Sequence, residues 1–148
     1  MDLAIAIRIG SPNSLRSLVR GTIESIEKNI GKCSYRFILS LDPHAPEDTK
    51  KYIYQKCKEN PPRFQILHEK TVYWSEFINE AIDRASDCKY FIKAHDDIKI
   101  LTSDWFPKAK QILDPLKEPV AWTSFHSMAY VSGDWSPPTR PGFYKDFL

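Results

Sequence analysis

The chain has 148 residues, 42% of them hydrophobic and 13% aromatic, with 21 basic and 19 acidic side chains and a formal net charge of +2. That length is one domain, able to bury roughly 68–70% of its unfolded surface, and the composition excludes disordered, collagen-like and low-complexity classes. The near-neutral balance leaves no electrostatic footprint for nucleic acid as the main partner, and no apolar run approaches the ~18 residues of a transmembrane helix.

Residues 3–9 read LAIAIRI and are closed by Gly10-Ser11-Pro12-Asn13, a strand followed by turn signals. In the next segment Leu15, Leu18, Val19, Ile23, Ile26 and Ile30 recur at steps of three and four. That spacing predicts a helix, with Asn13 or Ser14 as its cap and Gly31 at its end. YRFILSL, residues 35–41, is a second strand, stopped by Asp42-Pro43-His44-Ala45-Pro46. Pro46 followed by Glu47 and Asp48 predicts a helix start, and Asn60-Pro61-Pro62 its end. A third strand is expected over Phe64–Leu67. A third helix is expected over Trp74–Ala85, with Phe77, Ile78, Ala81, Ile82 and Ala85 as its apolar face. A fourth strand is expected at Tyr90–Ile92, leading into Lys93-Ala94-His95-Asp96-Asp97. A fourth helix over Trp105–Leu113 and a fifth strand over Val120–Phe125 follow. Beyond Tyr130, Gly133, Pro137, Pro138, Pro141 and Gly142 allow no long element, and the stretch reads as loop.

This alternation predicts a single-domain α/β fold of Rossmann-like type: a mostly parallel sheet with helices on both faces. The domain is expected over 1–130, with 131–148 a Pro/Gly-rich loop or a truncated acceptor region. The chain opens without the basic segment of a secretory signal. Cys33, Cys57 and Cys88 lie far apart with no C-x-x-C, so reduced thiols and a cytoplasmic location are expected.

Open parallel sheets bind ligands beyond the carboxyl ends of their strands. That rule singles out Ser11 and Asn13, Asp42 and His44, His68 and Glu69, and His95-Asp96-Asp97. In an extended segment His95 and Asp97 share one side and Asp96 takes the other. A carboxylate so placed can hold a hard divalent ion together with phosphate oxygens. A rival reading takes His95, Asp97 and the distant His126 as a two-histidine, one-carboxylate iron site. That site belongs to double-sheet β folds, whereas the elements here alternate. Phosphate-loop and dinucleotide-binding glycine signatures are absent, and five glycines cannot build such a cradle. Among Trp74, Trp105, Trp122 and Trp135, which could stack on a sugar or base, Trp105 and Trp122 are assigned to the core. The lysines of the second helix are read as a solvated face.

Four segments in order, AIAIRIGSPNSLRSLVRGTIESI, FILSLDPHAPEDT, FINEAIDRA and YFIKAHDDIKI, resemble the donor-binding half of GT-A-type glycosyltransferases of the family-2 group. The resemblance implies a nucleotide-diphospho-sugar donor, most commonly a UDP-sugar, and transfer of its sugar to an acceptor. It sets Ser11 and Asp42 against the nucleoside, Asn13 in the turn after the first strand, Asn79 as a positioning residue, and Asp96 beside the ribose. Asp97, with His95 in place of a more usual Asp, would bind Mn²⁺ or Mg²⁺. Pro43, Tyr73 and Ile78 depart from the family pattern. The family's acceptor walls and catalytic base lie later in the chain. Asp134 and Asp146 are the late carboxylates for that role, and donor binding is expected to exceed turnover. The alternative from another class is a non-catalytic nucleotide-binding or scaffold module of the same fold.

Overall fold

A computed structural model describes residues 1–10, 18–115, 129–131 and 134–136. The elements are β1 (Leu3–Ile9), α1 (Val19–Asn29), β2 (Tyr35–Leu41), α2 (Glu47–Glu59), β3 (Phe64–His68), α3 (Trp74–Arg84), β4 (Tyr90–Ala94), α4 (Trp105–Leu113), β5 (Ala129–Val131) and β6 (Asp134–Ser136). β1 to β4 form one sheet in the order β3-β2-β1-β4, parallel throughout. The fold is α/β and Rossmann-like. Met1–Ala109 is one compact unit and Lys110–Leu148 a second.

β1 is central and buried on both faces, which is why its sequence is apolar without alternation. Leu3, Ile5, Ile7 and Ile9 join one core with Phe37, Leu39 and Leu41 of β2. Val19, Ile23 and Ile26 of α1, Ile53 of α2 and Trp105 and Phe106 of α4 close that core. Ala4, Ala6 and Ile38 point the other way and meet Phe77 and Ala81 of α3. The split follows from handedness. Right-handed crossovers from β1 to β2 to β3 keep α1 and α2 on one face, and the return past β1 to β4 carries α3 to the opposite face.

Local signals explain most boundaries. Glu47 and Asp48 occupy the first turn of α2 and Lys56 and Lys58 its last, complementing the helix dipole. Gly31 takes φ +82° just past α1, a conformation open to glycine. Two of the four α2 lysines are engaged, Lys50 with Glu47 at 2.8 Å and Lys56 with Glu27 at 2.7 Å, while Lys51 and Lys58 are exposed. At the amino edge of the sheet the buried Arg36 guanidinium meets Asp87 and donates to the Arg84 carbonyl at 2.6 Å. None of the three cysteines forms a disulfide.

Three expectations are corrected. Ile82, assigned to the apolar face of α3, is 48% exposed, because one helix on a face of small residues needs only the Phe77–Ala81–Ala85 stripe. β4 runs on to Ala94, since pairing with β1 continues through Ile7. The region after Tyr130, expected to be all loop, contributes residues to a short antiparallel pair, β5 with β6. The capping residues expected for α1 and the strand expected over Val120–Phe125 lie outside the described residues.

Phe77 is the one large, fully buried side chain that α3 sets against Ala4 and Ala6. Phe77→Ala is expected to cost about 3–5 kcal/mol and Ile82→Ala less than about 0.5 kcal/mol, both read from urea unfolding. Equal costs would contradict the face assignment.

Candidate functional site

The carboxyl ends of all four sheet strands meet at one edge, and the crevice between β1 and β4 is the switch point where the connections diverge. Gly10 leaves β1 there with φ +101°. Its N–H donates to Asp96 Oδ2 at 3.1 Å. On its other side a Cβ at position 10 would stand 2.9 Å from Ala45 Cβ and 3.1 Å from Asp42 Cβ. Both the backbone sign and the space therefore require glycine. Asp42 and Asp96 flank this one residue, so the strand-end residues after β2 and β4 converge on the end of β1.

Asp42 is 5% exposed. Its Oδ1 accepts from the His44 N–H at 2.9 Å and lies 3.0 Å from His44 Nδ1, and its Oδ2 accepts from Thr71 Oγ1 at 3.1 Å. Burial alone would raise its pKa, but the bonds from His44 and Thr71 outweigh burial and hold it below the ordinary carboxylate value. A carboxylate has about four acceptor positions. The His44 N–H and Thr71 hydroxyl use two, and His44 Nδ1 takes a third in the tautomer that carries its proton there, so at least one stays open.

Asp96 and Asp97 lie in a turn, not an extension of β4. The expected alternation of His95 and Asp97 on one side is corrected on that ground, because the period of two ends with the strand. Alternation holds as far as His95, whose ring lies 5.7 Å from Trp74 on the α3 side. Asp96 then turns back to Gly10, while Asp97 is exposed. The turn is stapled from below by α1. Thr22 Oγ1 lies 2.9 Å from the Asp96 carbonyl and 2.7 Å from that of Ile98, so its single proton is shared. Ser25 Oγ accepts from the Ile100 N–H at 3.0 Å, and Asn29 Nδ2 donates to the Ile100 carbonyl at 2.8 Å. Sequence reasoning missed this ladder. Its signal was present as polar residues at steps of three and four within the otherwise apolar stripe of α1.

The remaining residues separate clearly. Asn79 is exposed on α3, and among the described residues no hydrogen bond or ion pair draws it to the edge. His68 ends β3, its Nε2 3.1 Å from Glu80 Oε2 but without the alignment of a hydrogen bond. Asp134 falls in β6. Ser11, Asn13, His126 and Asp146 lie outside the described residues. Among the described residues no group of three or more His, Cys, Asp or Glu converges as a metal would require. His95 and Asp97, both exposed, fit a cation only if a bound ligand supplies the other donors. Among the described residues no helix is long and apolar enough to cross a membrane.

No known protein family matches the sequence, and no curated protein matches it.

Because the folded pKa of Asp42 is depressed, its stabilisation is present above the unfolded aspartate value of about 3.9 and is lost as pH falls through the folded value. Asp42→Asn is expected to lower stability by about 1–3 kcal/mol near neutral pH. The gap to the unaltered protein should shrink below about pH 4. Parallel chemical unfolding series at several pH values check this, and a gap independent of pH would show that Asp42 is not held ionised by its donors.

Proposed function

We propose that the carboxyl edge binds a nucleotide-diphospho-sugar, with a UDP-sugar first in order. We propose further that the chain supplies the donor-binding part of a GT-A-type glycosyltransferase that passes the sugar to an acceptor hydroxyl. The observation that supports the reading most is the convergence of Asp42 and Asp96 on Gly10 at the switch point. These are the positions to which the sequence resemblance assigns nucleoside and ribose contacts. The open acceptor position on Asp42 suits an N–H or O–H of a nucleoside. Asp96, fixed through one oxygen to the chain end of β1, would present its turn to the ribose.

Asp97 and His95 would hold a divalent cation shared with the diphosphate, and a carboxylate paired with imidazole suits Mn²⁺ better than Mg²⁺. When bound, that cation neutralises charge on the leaving diphosphate. A binding module without turnover is the second reading. It is favoured by the bonding of Asp42 and Asp96 within the chain, which leaves neither as a base.

Calorimetric titration with UDP, with and without Mn²⁺, tests the reading. Binding strengthened by Mn²⁺ is expected. Asp97→Ala should abolish that increment while changing stability by less than about 0.5 kcal/mol, as an exposed substitution does. An unchanged Mn²⁺ increment would remove Asp97 from the site, and no UDP binding under either condition would end the nucleotide reading. Labelled UDP-sugars with a broad acceptor mixture separate the two readings. Transfer at about 1 s⁻¹ or faster marks an enzyme, and binding without transfer marks a module.

A further inference from the structure

The face of the sheet covered by α3 carries a group that the nucleoside contacts leave unused. β1 is aliphatic except at position 8, where an arginine interrupts the run. Ile7 and Ile9 belong to the core under α1, and Ala4 and Ala6 to the core under α3. Alternation therefore sends Arg8 to the α3 side. Arg8 is half-buried and makes no hydrogen bond or ion pair among the described residues. With no acceptor among the described residues its planar fork stays open, and that fork is shaped for two oxygens of one oxyanion.

Its neighbours are of the same character. Ser40 lies directly across on β2. On β4, Lys93 pairs with Ala6 and Ala94 with Ile7, so His95 follows at the level of Arg8 and Lys93 sits diagonal to it. Neighbouring strands are about 4.8 Å apart, within the span of one small anion and these long side chains. Lys93 Nζ stands 4.6 Å from the Trp74 ring centroid, and His95 packs against the same ring. Among the described residues no acidic side chain is paired with Arg8, Lys93 or His95. Lys93 and the His95 imidazole thus flank one indole on the α3 side of the β1–β4 crevice, with Arg8 on the same side of the neighbouring strand.

The geometry points to an oxyanion site formed by Arg8 and Lys93 against Trp74, which takes the diphosphate of the nucleotide ligand. The identity of that ligand rests on the reading above. The oxyanion chemistry rests on Arg8 and its neighbours alone. In a chain with five glycines and no glycine-rich cradle, side-chain cations replace the backbone N–H groups that hold phosphates elsewhere. A consequence is that diphosphate binding persists without a divalent cation.

The test titrates the full chain calorimetrically with inorganic pyrophosphate, UDP and uridine in EDTA. Pyrophosphate and UDP are expected to bind and uridine to bind far more weakly. Arg8→Gln should weaken pyrophosphate about ten- to a hundredfold, the range for hydrogen bonds to charged groups. Lys93→Gln should weaken it less, and Arg8→Lys should fall between Arg8→Gln and the unaltered protein because the fork is lost and the charge kept. Lys51→Gln on the exposed side of α2 should leave it unchanged. Thermal melts of each variant identify any that fail to fold, and Lys93→Gln and Arg8→Lys then carry the test. Absence of pyrophosphate binding in EDTA, or affinity indifferent to both Arg8 and Lys93, overturns the inference. UDP binding that needs Mn²⁺ and ignores Arg8 also overturns it while leaving the nucleotide reading intact. Pyrophosphate binding through Arg8 with no added affinity for UDP upholds the oxyanion site and sinks the nucleotide reading.

Discussion

The fold depends on the close contacts at Gly10. β1 is the central strand, buried on both faces, so its backbone reaches ligand space only where it leaves the sheet. At that point the chain has Asp42 and Ala45 on one side and the Asp96 carboxylate on the other. Only a residue without Cβ, held at positive φ, fits between them. Its N–H is satisfied by Asp96, as a part-buried backbone donor must be. One residue thereby ties the segment after β2 and the turn after β4 to the same point.

The two faces of the sheet divide the remaining work. On the α1 face, Thr22, Ser25 and Asn29 bond the backbone from Asp96 to Ile100 and hold the acidic turn in position. These residues act through the backbone and have no need to touch a ligand. On the α3 face the packing is thin, with Ala4 and Ala6 beneath Phe77. That leaves room at the carboxyl end for Trp74, Lys93, His95 and Arg8. A parallel sheet with its switch point between β1 and β4 gives these two sets a common edge. Negative groups fixed by hydrogen bonds stand above the crevice, and basic groups lie on its α3 side.

Elements were legible wherever a single period governed a whole segment. LAIAIRI and YRFILSL announce themselves as short apolar runs bounded by turn residues, and the stripes of α1 and α3 because burial of one helix face imposes a repeat of 3.6. The strand–helix order then leaves few parallel topologies, since crossovers are right-handed. Legibility ended where the period ended. The His95-Asp96-Asp97 segment was read as extended, yet the chain turns after His95, and a turn obeys no alternation. Ile82 shows the same limit, because a helical stripe gives the direction of an apolar face without its width.

The amino-acid sequence by itself determined the four parallel strands, the helices between them, and the rule that Asp42 and the acidic cluster end up on one edge. These follow from local periodicity and connection geometry, which every short segment carries within itself. Only the tertiary structure decided that Asp96, not Asp97, is bonded to Gly10, that Asp42 is held ionised by His44 and Thr71, and that Arg8 and Lys93 lie on the same side of adjacent strands. The Gly10–Asp96, Asp42–Thr71 and Arg8–Lys93 relations each join residues tens of positions apart and depend on strand order and register. No local segment encodes such distances, because they arise only when hydrophobic burial brings β1, β2 and β4 side by side.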